Sequence, residues 1–167
     1  MTTKCLILAL VAAALGVASP PVLAQGVKPC ALLKNAEVQA VMGAQIGEGV
    51  AGFLAPTATY TCDYRWTPGR FGPSVQVMVS DASTLLPEMD AGTIKSGILG
   101  GLRGLPKDTT VVPGVGEAAN YRVNSPTASS AMTYLKGRIL EVVYQGSDAP
   151  VKKDQVIGLL KAAASRL

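Results

Sequence analysis

The order in which two hydrophobic periodicities succeed one another constrains this fold more than any other feature of the chain. Helical spacing comes first, over Leu32–Gly43, where Val38, Val41 and Met42 fall on one face. Asn35 suits its N-cap, Glu37 its positive first turn and Gly43 a left-handed C-terminal position. Strand spacing follows in three stretches: Ile46–Leu54, which is weak and Gly-rich, Thr59–Trp66 and Ser74–Ser80. Thr67-Pro68-Gly69 and Gly72-Pro73 punctuate them. Thr59–Trp66 sets Tyr60, Cys62, Tyr64 and Trp66 on one face, and Val75, Val77 and Val79 alternate in the next stretch. Ala82–Leu102 returns to helical spacing with breaks, because Pro87 is tolerated only in a first turn; its apolar stripe is Leu86, Met89, Ile94 and Ile98. A bend at Val111–Gly116, with one or two strand residues before it, leads into a strand over Ala118–Val123. Ser130–Leu135 and Ile139–Gln145 then form a hairpin closed at Lys136-Gly137-Arg138. Last, Ser147 or Asp148 caps a helix with Pro150 in its first turn and Val156, Leu159, Leu160, Ala163 and Leu167 on one face.

Strands grouped between helices, without strict strand–helix alternation, argue against a doubly wound parallel sheet. The pattern predicts a single α+β domain: a curved antiparallel β-sheet with helices packed mainly on one face. No low-complexity linker and no internal repeat divides the chain after residue 27.

Composition matters first at the N-terminus. The chain is 49% hydrophobic, and its opening 24 residues are richer still, with Lys4 their only charge. Lys4, the apolar run Cys5–Ala18, the break at Ser19-Pro20-Pro21 and Val22-Leu23-Ala24 have the order of a cleaved signal peptide. The run is too short to span ~30 Å of hydrocarbon at ~1.5 Å per residue. Residues 1–24 are therefore expected to be a signal peptide and residues 25–167 one mature domain, periplasmic or secreted, with no transmembrane segment after cleavage. Loss of Cys5 leaves Cys30 and Cys62, which allow one intramolecular pairing in an oxidising compartment. The chain contains no histidine, so zinc would lack two further ligands and a nucleophilic thiol its imidazole base.

Several residue groups invite a chemical reading. Gly97–Gly104 is glycine-rich but lacks the Gly-Lys-Ser/Thr ending of a phosphate loop, so a flexible connection after a helix is expected there. Lys95 and Ser96 adjoin, which turns their side chains apart on a helix. Asp63, Glu88, Asp90, Glu117 and Glu141 could supply the carboxylate pair of a hydrolase, although no spacing selects two of them. Tyr64, Arg65 and Trp66, with Tyr60 and Arg70 nearby, are either core or the centre of a binding surface, since Trp, Tyr and Arg are favoured at interface hot spots. The net charge of +4 is dispersed, without the aromatic–basic interleaving of a nucleic-acid surface.

Pro29-Cys30-Ala31-Leu32-Leu33, Ala36-Glu37-Val38, Met42-Gly43 and Thr61-Cys62-Asp63-Tyr64 together resemble the opening of secreted, often lipoprotein-like, bacterial domain families without an assigned activity. Val112-Pro113-Gly114-Val115-Gly116-Glu117-Ala118-Ala119, the Lys136-Gly137-Arg138 hairpin and the final helix fit the same layout. The resemblance implies an exported α+β domain bridged between Cys30 and Cys62, and it transfers no catalytic residue. The lipid-attachment cysteine of many such relatives is missing here. The expected function is a non-catalytic binding or interaction domain, engaging an envelope protein or small ligand without cofactor or metal. A secreted hydrolase using two carboxylates is the alternative.

Overall fold

The structure, a computed structural model, describes residues 27–43, 45–66, 72–85, 87–104 and 108–167. The expected signal peptide lies outside the described residues. A turn of 3-10 helix at Pro29–Ala31 leads into α1, Asn35–Met42. Three strands follow, β1 (Val50–Leu54), β2 (Thr59–Arg65) and β3 (Ser74–Asp81). Two helices, α2 (Ala82–Leu85) and α3 (Ala91–Arg103), separate them from four more strands. These are β4 (Thr109–Val111), β5 (Ala118–Ser125), β6 (Ala128–Leu135) and β7 (Arg138–Gln145). A 3-10 turn at Ala149–Val151 and α4, Lys153–Ala164, complete the chain.

All seven strands form one antiparallel sheet in the order β1-β2-β3-β7-β6-β5-β4. After β3 the chain crosses by α2 and α3 to the far edge and meanders back, so that β7 closes against β3. The α+β class and the antiparallel sheet are as the periodicities predict. At the β6–β7 turn Lys136 and Gly137 both take positive φ, 51° and 78°, which is the backbone twist that a two-residue hairpin requires.

Alternation divides the sheet into two faces. On one, Cys62, Tyr64, Val75, Val77, Ala119, Tyr121, Ala131, Leu140, Val142 and Tyr144 are buried beneath α1 and α4. α1 contributes Val38, Val41 and Met42, and α4 contributes Val156, Leu159, Leu160 and Ala163. Burying each valine, leucine or methionine among them stabilises the fold by roughly 1.5–3 kcal/mol before the entropy of ordering it. On the other face a smaller cluster joins Ala82, Ile94 and Leu102 to Tyr134, with Ile98, Leu99, Met132 and Ile139 around it. The helices thus divide: α1 and α4 cover the principal core, while α2 and α3 cover part of the opposite face.

Local chemistry departs from expectation at three places. Asn35 is the first residue of α1 rather than its cap; Glu37 reaches back to accept the backbone N–H of Lys34 at 2.8 Å. The glycine-rich stretch is helical through Arg103 instead of a loose connection. Each helical glycine costs about 1 kcal/mol against alanine, and apolar contact of Ile98, Leu99 and Leu102 with the sheet offsets that. Asp148, a candidate cap, makes no capping bond and turns its carboxylate elsewhere.

The Cys30–Cys62 disulfide is formed, with the Cα atoms 5.0 Å apart. It fastens the Pro29–Ala31 turn to the middle of β2. Among the described residues no helix is long and apolar enough to cross a membrane.

Candidate functional site

Tyr64, Arg65 and Trp66 do not converge. Tyr64 is 1% exposed, and its hydroxyl donates to the carbonyls of Leu33 at 2.9 Å and Cys30 at 3.3 Å. Burial pushes its pKa upward. This side chain anchors the N-terminal segment and is closed to a ligand; of the two alternatives the sequence leaves open, Tyr64 takes the core. Alternation sends Arg65 to the opposite face, where it is exposed at the end of β2. Trp66 is half-buried and packs against the principal core. Its ring lies so close to Gly72 that a Cβ there would fall 2.3 Å from a ring carbon. Tyr60 lies against Phe53, ring centroids 5.0 Å apart. Arg70 lies outside the described residues.

The candidate acids are likewise committed separately. Asp90 caps α3, accepting from the N–H groups of Gly92 and Thr93 at 2.9 and 3.0 Å. Glu117 pairs with Lys95 at 2.6 Å, which raises the pKa of that lysine and withdraws it as a base for Ser96. Asp63 accepts from Gln76 at 2.7 Å, Glu141 faces Arg122 at 3.9 Å, and Glu88 is exposed. Among the described residues no three His, Cys, Asp or Glu side chains gather as metal ligands.

A cleft of about 870 Å³ opens at the end of the sheet where β7 stops. Its walls are Gly72-Pro73 before β3, Thr127-Ala128 at the β5–β6 turn, Met42 of α1 and Gln145-Gly146-Ser147-Asp148 after β7. Gly146 places the exit from β7: its N–H donates to Thr127 O at 2.9 Å. A Cβ there would lie 2.5 Å from the Tyr144 hydroxyl. That close approach lets the otherwise buried Tyr144 donate to Asp148 Oδ1 at 2.5 Å. Lys152 stands on the other side of Asp148, its Nζ 3.4 Å from Oδ2 and donating to Val41 O at 2.9 Å.

The Tyr144 hydroxyl, with further help from Lys152, holds Asp148 below the usual carboxylate range. Burial, reinforced by the hydrogen bond to Asp148, pushes Tyr144 strongly up. The result is a carboxylate oriented by a phenol and an ammonium and still 45% exposed. Around it Ser147 and Thr127 offer hydroxyls, Gln145 an amide, and Met42, Pro73 and Ala128 an apolar wall. Such a surface accepts hydrogen bonds from a ligand's donors and shelters an apolar portion beside them.

Of the candidate binding residues Tyr64, Arg65 and Trp66, only Trp66 reaches this region, its ring against Gly72 and its backbone N–H donating to Pro73 O at 3.3 Å. The strand carrying Tyr144 was legible over Ile139–Gln145 and Asp148 as a candidate helix cap, but nothing in their spacing announces that strand exit and phenol would meet. The chain matches no family model, no curated protein and no solved structure.

Proposed function

We propose that this protein is an exported, non-catalytic binding domain whose cleft at the end of β7 receives a small ligand or a protein segment carrying hydrogen-bond donors. The observation that carries the reading is Asp148, held in place by Tyr144 and Lys152 at the mouth of a cleft with an apolar wall. Fixing an acceptor beforehand spares the ligand the cost of ordering it. The resemblance to secreted bacterial domains, the Cys30–Cys62 bridge and the order of residues 1–24 support an oxidising destination outside the cytoplasm. The carboxylate-pair hydrolase has less support: Asp148 is the one acid among the described residues lining this cleft.

Amide NMR of the mature chain during titration with envelope extracts and fractionated small molecules tests the reading. Shift changes centred on Thr127 and Gln145–Asp148, abolished by Ser147→Trp, are expected. Shift changes elsewhere only, or none, would overturn it. Mass spectrometry of the exported protein should find Gln25 at the N-terminus and a mass two hydrogens below the reduced chain.

A further inference from the structure

The two edges of the sheet are unlike. β4 is three residues long and follows Asp108, and short edges beside charge resist pairing with other chains. β1 has neither protection. All five of its residues, Val50-Ala51-Gly52-Phe53-Leu54, are exposed, and it carries Val50 at 66%, Phe53 at 46% and Leu54 at 47% exposure. Its register with β2 is unbroken from Val50↔Asp63 to Leu54↔Thr59. Among the described residues β1 pairs with β2 alone, which leaves the ladder groups on its outer side free for another strand.

We infer that this edge is completed by β1 of a second copy, antiparallel about a two-fold axis at Gly52. The pattern is self-complementary, as such an interface demands. Pairing about Gly52 sets Val50 opposite the Leu54 position of the other copy and Ala51 opposite its Phe53. The two Phe53 rings become diagonal neighbours, within reach of one another on a sheet. From Gly49 to Ala55 the chain has no charge, and Glu48 falls opposite the Pro56 position, so like charges do not meet. Glycine at the axis is required by the protomer itself, because a Cβ on Gly52 would lie 2.6 Å from Thr61 Oγ1. A five-residue seam is only ~17 Å long and buries less than the ~1,000 Å² of a lasting interface. The dimer is therefore weak and concentration-dependent. It uses a surface distinct from the cleft lining and is independent of the ligand reading.

Sedimentation equilibrium of the mature, oxidised chain up to about 1 mM, the concentration scale of a weak complex, tests the inference. A monomer–dimer equilibrium is expected, with β1 amides exchanging more slowly as concentration rises. Val50→Lys, at an exposed position checked for folding by circular dichroism, should leave only monomer. Val50→Lys/Leu54→Glu should restore the dimer, because the register brings each introduced lysine opposite an introduced glutamate. A wild-type monomer throughout, an open polymer series, a dimer indifferent to Val50→Lys, or a double variant that stays monomeric would each overturn it. So would a monomer whose β1 edge takes up only an unrelated extended peptide.

Discussion

Tyr144 and Asp148 illustrate how one buried phenol sets the character of an exposed acid. Tyr144→Phe preserves the ring in the core but removes the donor, so Asp148 should titrate at higher pH, as carbon-13 NMR of its carboxyl would record; an unchanged value would contradict the assigned contact. Glu37 offers a second titration. It accepts from both guanidinium nitrogens of Arg166, at 2.7 and 2.6 Å. That pairing, with the Lys34 N–H, lowers its pKa from 4.5 to about 2. A carboxyl depressed in the fold stabilises it above its unfolded pKa, and the benefit fades as pH falls from about 4.5 towards 2. Glu37→Gln should therefore flatten the acid limb of a pH–stability curve in that window. The tyrosines act at the other end. Tyr64 and Tyr144 are raised above 10.0, so their contribution is complete below pH 10 and declines as pH rises beyond it. Tyr64→Phe and Tyr144→Phe should each remove a phenolate whose absorbance appears late in an alkaline titration.

Element by element, legibility followed how completely a segment's pattern decides its own environment. α4 buries Val156, Leu159, Leu160 and Ala163, the face read from its spacing, because one continuous stripe needs no knowledge of what lies opposite. Leu160→Ala should cost about 2–5 kcal/mol in chemical denaturation, the range for a leucine deleted from a closed core. α3 was harder, since its glycines argue locally for disorder while Leu102, outside the stripe read from sequence, is 4% exposed. There tertiary contact overrides propensity. The bend before β5 was visible from Gly114 and Gly116, but not why Gly116 is needed. It holds φ at 56° with Tyr134 O 2.4 Å from where a Cβ would stand. Gly116→Ala should cost about 1–2 kcal/mol from the left-handed backbone, and more from the collision, as chemical denaturation would measure. The cleft was illegible because it is assembled from four separate segments, and nothing in any one of them tells which others it will meet.

At the scale of the molecule the N-terminal segment is strapped down by groups remote in sequence. The disulfide holds it to β2, Tyr64 to Leu33, Lys152 to Val41 and Arg166 to Leu32 and Glu37. The bridge closes a loop with a sequence separation of 32, which in the chain-entropy model contributes about 4 kcal/mol. Cys30→Ser/Cys62→Ser should lower the thermal midpoint by well over ten degrees yet leave far-ultraviolet dichroism native-like when cold, since the other straps persist. A midpoint unchanged by reduction would contradict this. The crossover that sends the chain from β3 to the far edge also has a kinetic consequence. β1–β2–β3 and β4–β5–β6–β7 are two meanders that form from near neighbours, but within the sheet they meet only along the β3–β7 ladder, from Ser74↔Gln145 to Asp81↔Arg138. Closing that seam requires contacts distant in sequence, which slow folding. Until β7 docks, β3 is paired with β2 on one side only, so a β1–β2–β3 meander formed first has an open edge that the finished sheet closes.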